Sequence, residues 1–135
     1  MIEWNPALAV HIPVIDEQHR LLAERANLLL HALSTSSPEL ITNTFGYFEA
    51  FIQDHFRTEE ELLVKSGKID SPYAQKHMAA HETFLCEFRT FRESLSSPDM
   101  NPAQVDAFSR WILAWYQAHI EHDDIRLGEF LRSPE

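Results

Sequence analysis

The chain has 135 residues, the size of one ordinary domain, and with 44% hydrophobic residues it can bury a real core. Its 11 basic and 21 acidic residues give a net charge of −10, which argues against nucleic acid and anionic membrane surfaces as partners, since both reward clustered Lys and Arg. A single cysteine, Cys86, excludes an internal disulfide and a thiolate metal cluster, and its place beside an apolar stripe reads as a small hydrophobe.

The start has no basic stretch leading into an apolar run, so no signal peptide is expected. No stretch approaches about 20 consecutive apolar residues, so no membrane insertion is expected and a cytoplasmic protein is. Residues 1–15 read as an ordered arm, interrupted by Pro6 and Pro13. Leu8, Val10, Ile12 and Val14 alternate at period two, an extended pattern, and Trp4 is expected to pack the arm against the body.

The first helix is expected over about 16–33, with Asp16 as N-cap and a stripe of Ile15, His19, Leu22, Ala26, Leu29 and Leu33. The serines and threonine from Ser34 to Ser37 break the pattern. A second helix, 38–66, starts with Ser37 as cap and Pro38 at its first position, and Gly67 closes it. Its stripe is Phe48, Ile52, His55, Glu59 and Leu62. The third, 72–95, repeats the start signal with Ser71-Pro72 and carries His77, His81, Phe84, Phe88, Phe91 and Leu95. The fourth, 102–131, starts at Asn101-Pro102, and Phe108, Ile112, Trp115, His119, Ile120, Leu127 and Leu131 lie on its apolar side. Four amphipathic helices with short connections predict an all-α, up-down-up-down four-helix bundle with an extended N-terminal arm, as a single domain over 1–135.

His55 and Glu59 stand four residues apart, which puts both side chains on one helix face, where core residues belong. Burying an ionised carboxylate without a partner is costly, so something positive must meet Glu59 inside. Five histidines fall on apolar stripes: His19, His55, His77, His81 and His119. One such histidine is ordinarily a hydrogen-bonded core residue. Five of them, with Glu59 and a carboxylate on the fourth helix, leave many buried polar atoms to satisfy, and metal satisfies them at once. Imidazole and carboxylate without thiolate suit iron, zinc, copper or manganese. Seven protein ligands exceed what one ion takes, about four to six, so two ions bridged by carboxylates are expected. The donor set leaves di-iron, di-manganese and di-zinc open.

The series Asp16-Glu-Gln-His19, His55-Phe-x-x-Glu59-Glu60, His77-x-x-x-His81 and Trp115-x-x-x-His119-Ile120-x-x-x-Asp124 resembles the hemerythrin family, above all its single-domain bacterial members, the bacteriohemerythrins. The resemblance runs in order along essentially the whole chain and includes the Glu3-Trp4 start. It implies a non-haem di-iron site, oxo- or hydroxo-bridged, that binds O2 reversibly. By position, His77, His81 and His119 would hold one iron, His19 and His55 the other, and Glu59 and Asp124 would bridge. The iron with two histidines would keep the open position for O2. On an ideal helix, Asp124 lies about 140° from His119 and Asp123 only about 40°, so spacing alone favours Asp123 while the family pattern favours Asp124. A local helix distortion or a wide apolar face would reconcile them.

Leu22, Phe56, Trp115 and Ile120 lie within one turn of these positions and would line a dry O2 pocket, or simply pack the core. Tyr116 stands where the family commonly has a leucine facing that pocket. Its phenol would act on bound O2, or would reach solvent at the bundle edge. His11, His31, His122, Glu60 and Glu61 read as surface. The expected function is O2 storage, delivery or sensing by a monomeric non-enzyme, with O2 as ligand and an O2-consuming protein as a partner. The alternatives are a di-iron enzyme reducing peroxide or nitric oxide, and an iron-handling or signalling module.

Overall fold

The computed structural model describes residues 2–35 and 37–133; Met1, Ser36 of the expected polar break, Pro134 and Glu135 lie outside the described residues. Four long helices form the bundle: α1 (Pro13–Leu33), α2 (Pro38–Lys65), α3 (Pro72–Leu95) and α4 (Pro102–Ala118). A π-helical segment, His119–Asp124, follows α4 directly and leads into α5 (Ile125–Arg132). Short connections make consecutive helices antiparallel neighbours. Among the described residues there is no strand, and no helix is long and apolar enough to cross a membrane.

All four long helices begin with proline in the first turn, where its missing N–H costs nothing. The Ser37, Ser71 and Asn101 side chains cap α2, α3 and α4 by accepting from Leu40 N (3.1 Å), Ala74 N (3.1 Å) and Gln104 N (3.0 Å). Gln104 returns the bond to Asn101 N at 2.8 Å, completing a capping box. At the end of α2, Gly67 takes φ 75°, the left-handed conformation that ends a helix at least cost in glycine.

The first helix starts earlier than the expected Asp16. Pro13 is its first residue and Ile12 its N-cap, without a capping side chain. Asp16 caps the arm instead, accepting from Val10 N (2.8 Å) and His11 N (3.2 Å). That pair of bonds holds the turn into α1, where His11 has φ 63°. The arm is not uniformly extended either: a 3₁₀ turn, Pro6–Leu8, interrupts it, and Asn5 caps that turn. Ile2 rather than Trp4 is its buried anchor at the start, with Ile2 N and O paired to the Asn27 amide at 3.0 and 2.7 Å. At the other end Val10 is buried against α5. Arg132 Nη1 donates to Val10 O at 2.8 Å, and a Cβ on Gly128 would stand 2.9 Å from that oxygen.

The stripes of α1 and α3 are buried much as expected, except that Phe91 is only half-buried. In α2 the buried residue after Glu59 is Leu63, not Leu62, and Cys86 is exposed rather than packed. The core is divided in two. The larger cluster runs from Ile41 to Phe56 on α2, Phe84 to Leu95 on α3 and Phe108 to Ile120 on α4 and the π segment, with α1 against it. The smaller holds Leu63, Ala74 and Leu127, with Ile69, Tyr73, Met78, Phe130 and Leu131 around them. Between them lies a layer of buried polar side chains.

Candidate metal centre

That layer consists of His19, His55, Glu59, His77, His81, His119 and Asp124, each at most 6% exposed. α1 supplies one, α2 two, α3 two, and the π segment both of its ends. Each imidazole turns Nε2 inward, 2.5 to 3.1 Å from a carboxylate oxygen. Glu59 Oε1 meets His77 (3.0 Å) and His81 (2.9 Å), while Oε2 faces His55 (3.1 Å) and His119 (3.7 Å). Asp124 Oδ2 meets His19 (2.5 Å) and His119 (2.8 Å), and Oδ1 lies 3.7 Å from His77.

The π segment places Asp124 here. Its i→i+5 bonding widens the turn, so that residues five apart come nearly into line along the axis. His119 and Asp124 are five apart and both buried, whereas Asp123 is exposed. The 140° expected from an ideal α-helix is thereby reduced towards the roughly 40° of a four-residue α-helical spacing. Asp123 contributes its backbone instead, accepting from the Tyr73 hydroxyl at 3.3 Å.

Burial penalises charge on every group in this layer. At His55 burial is the largest single influence, but the Glu59 and Asp124 carboxylates together outweigh it and hold the imidazole up at about 10. His77 is also raised: burial is again the largest influence, but the bond to Glu59 and the charges of Glu59, Asp124 and Asp123 together overcome it. At His19 burial prevails over Asp124 and the ring is lowered. Both carboxylates stay below their ordinary range against burial, Glu59 chiefly through His55 and Asp124 chiefly through His119. Protonated imidazoles thus stand in for cations. Even so, Glu59 Oε2 and Asp124 Oδ1 have no hydrogen-bond partner, nor has His19 Nδ1. Orphaned carboxylate oxygens in a buried layer of inward imidazoles fit metal ions. Two groups have the geometry to hold one: His19, His55, Glu59, His119 and Asp124, and Glu59, His77 and His81, with donor atoms within 4.8 Å in each.

The model of the hemerythrin HHE cation binding domain matches residues 10–131. The chain belongs to the hemerythrin family. It is 27% identical over 125 residues to a bacteriohemerythrin of Stenotrophomonas maltophilia, covering 92% of this chain and 77% of that one. A bacteriohemerythrin of Pseudomonas paraeruginosa is 27% identical over 122 residues, covering 90% and 75%. The fold matches the crystal structure of a leucine-to-tyrosine mutant of hemerythrin with a TM-score of 0.83, 21% identity and 98% of both chains covered. A crystal structure of a leucine-to-phenylalanine mutant matches with the same TM-score and coverage at 20% identity.

Around the hemerythrin cluster, the second ring nitrogens matter as much as the first. His55 Nδ1 lies 2.8 Å from Gln18 Oε1, and His81 Nδ1 lies 2.9 Å from Glu60 Oε2. These contacts fix the rings with Nε2 inward. Glu60 is therefore not merely part of a solvated face, although its side chain is 39% exposed. The sequence marks Gln18 only by its place immediately before His19 and gives it no role of its own. Glu61, His11, His31 and His122 are exposed, apart from the cluster.

Leu22, Phe56 and Ile120 are buried beside the layer, and Phe56 lies flat on His81 with ring centroids 3.8 Å apart. Trp115 stacks on His119 at 4.7 Å but is only half-buried. Tyr116 is buried, so its hydroxyl does not reach solvent; it donates to His19 O at 2.9 Å, and burial pushes the phenol up from its ordinary value. Tyr116 and Ile120 also line a cavity of about 240 Å³ beneath Ile2 and Leu8 of the arm. On the opposite side, His77 borders a cavity of about 200 Å³ with Tyr73, Lys76, Asp123 and Arg126. Both cavities carry polar side chains: Glu3, Asn5, Gln117 and Glu121 beside Ile120, and Lys76, Asp123 and Arg126 beside His77.

Proposed function

We propose that this cluster holds two iron ions and binds O2 reversibly, for storage, delivery or sensing of oxygen. The observation that carries the reading is Glu59. One of its oxygens serves His77 and His81 while the other faces His55, the placement of a carboxylate that would join two cations. When bound, the irons would supply a redox couple able to take up O2 and give it back. The chain's own residues hold, orient and dry the site.

His77 and His81 would hold one ion and His19 and His55 the other, with Glu59 and Asp124 shared. His119 decides which ion keeps an open position. Its Nε2 stands with His19 and His55 here, drawn 2.8 Å from Asp124 Oδ2. We assign it to the His77 and His81 ion, as the family resemblance implies. That choice would leave the open position on the ion held by His19 and His55, whose chain neighbours Leu22 and Ile120 are buried. Gln18 and Glu60 would steady the ligand rings. The Tyr116 phenol, bonded to a backbone carbonyl, keeps its proton, which favours a carrier over a proton-delivering enzyme.

Visible absorption of the reduced, iron-loaded chain under air and under nitrogen, with a metal count, tests this. Two irons per chain and a charge-transfer band that appears with air and disappears on deoxygenation are expected. An iron-loaded chain whose spectrum ignores O2 would remove the carrier reading. Sustained consumption of peroxide or nitric oxide with a reductant would replace it with the enzyme.

A further inference from the structure

Of the three tryptophans, Trp111 and Trp115 stand one helical turn apart on α4, and both are half-buried. Trp115 lies almost flat on the His119 imidazole, with planes 13° apart and centroids at 4.7 Å. It also packs against Phe84, with centroids at 4.1 Å and planes tilted by 38°. Phe84 in turn is stacked on Trp111 at 5.1 Å, with planes 18° apart. The rings therefore run without a gap from a residue of the cluster to a half-exposed indole. Packing alone does not call for indoles, because phenylalanine fills the neighbouring buried positions 84, 88 and 108. What an indole adds is a ring that gives up an electron far more readily than a phenyl ring, and without first losing a proton.

The tyrosines near the cluster are poorly placed for the same task. Oxidising a phenol requires a base to take its proton. Tyr116 donates to the His19 carbonyl, which is no base, and burial raises its pKa. Tyr73 donates to the Asp123 carbonyl, and burial pushes it up to about 12.

We propose that Trp115 and Trp111 conduct single electrons between the His119 side of the cluster and the protein surface, with Phe84 as the packed bridge, so that a reductant in solution refills an oxidised centre without entering it. This rests on the iron reading of the cluster. Trp115 gives one electron from its π system across His119. The Trp115 radical cation then takes one electron from Trp111. Trp111, partly in solvent, releases its Nε1 proton to water, and the resulting neutral radical takes one electron and one proton from a reductant of the thiol or ascorbate class. Both indoles end unchanged. The reductant has lost one electron and one proton; the centre has gained the electron and water the proton.

The test uses the full chain loaded with iron, and Trp111→Phe and Trp115→Phe variants, which keep an aromatic ring at each stack. Each is mixed with hydrogen peroxide, frozen for electron paramagnetic resonance, and mapped for oxidised residues by mass spectrometry. The wild type is expected to show an indole radical and oxidation at Trp111. Trp115→Phe should lose both although Trp111 is present, and Trp111→Phe should shift the oxidation to Trp115. Oxidation of Trp111 that is indifferent to Trp115→Phe, or equal oxidation of Trp4, overturns the proposal. A zinc-loaded chain carrying a ruthenium photo-oxidant on exposed Cys86 makes the result independent of iron. After a flash, an indole radical that forms in the wild type and is lost in the double variant supports the route, and its absence in the wild type overturns it. A chain that takes up no iron refutes the iron reading by the metal count and leaves this second measurement to decide the route.

Discussion

Replacing Asp124 by asparagine keeps its shape and removes its charge. In the metal-free chain Asp124 Oδ2 faces His19 at 2.5 Å and His119 at 2.8 Å, and both ends of each contact are at most 3% exposed. Taking one member out of a buried pair costs about 3–5 kcal/mol, because the other is left without compensation in a dry site. With a urea dependence of about 2 kcal/mol per molar, the unfolding midpoint of the metal-free chain should fall by roughly 2 M. On the proposed reading the iron content should fall as well, since a neutral amide would replace the carboxylate proposed as a bridge. The neighbouring substitution is the control. Asp123 is exposed and uses its backbone carbonyl, so Asp123→Asn should stay within about 0.5 kcal/mol of wild type and keep its iron. Urea unfolding followed by circular dichroism and a metal count read both effects. Full iron and an unchanged midpoint in Asp124→Asn, with losses in Asp123→Asn, would show that the π segment does not select the ligand.

Gln18→Ala and Glu60→Ala each free one ring nitrogen, and should weaken metal binding about 10–100-fold by competition against a chromophoric chelator; unchanged affinity would mean that these contacts do not orient His55 and His81. Gly128→Ala sets a helix-propensity gain of about 1 kcal/mol against a Cβ placed 2.9 Å from Val10 O, which must shift a buried valine worth about 1.5–3 kcal/mol. A net loss of about 0.5–2 kcal/mol is expected in denaturant unfolding, and a stabilised variant would mean that the arm yields freely. Tyr116→Phe removes one buried hydrogen bond to His19 O, so stability should fall by about 0.5–1.5 kcal/mol while iron content and O2 release are kept. A changed O2-release rate at unchanged stability would return the phenol to the pocket.

Much of the fold was legible because its signals are local. Ser37-Pro38, Ser71-Pro72 and Asn101-Pro102 state helix starts through side-chain acceptors and a proline that needs no partner. Pro13 carries the same signal, but without a capping residue before it the alternation from Leu8 to Val14 outweighed it. The buried histidines were legible from their register. Their outer partners were not: periodicity says which residues face the core, and Glu60 and Gln18 sit at seams between helices, where the partner lies on a different element. The π segment had only an indirect signature, a five-residue spacing between two groups that both needed to face inward. No glycine or proline marks it, so the distortion belongs to the packing of the cluster rather than to local propensity.

The division of the core has a consequence for how a sealed site exchanges its contents. Leu63, Ala74 and Leu127 form a small apolar plug on one side of the polar layer, joined to the main core only through that layer and the backbone. A plug of this size can open as a unit well below the free energy of global unfolding, and its opening would bare the cluster while the larger core stays shut. On the proposed reading, metal loading would then proceed by breathing at one end of the bundle. Amide hydrogen exchange in the metal-free chain would register it as a common, early-exchanging group spanning the end of α2, the start of α3 and α5, closed when the ions are in place.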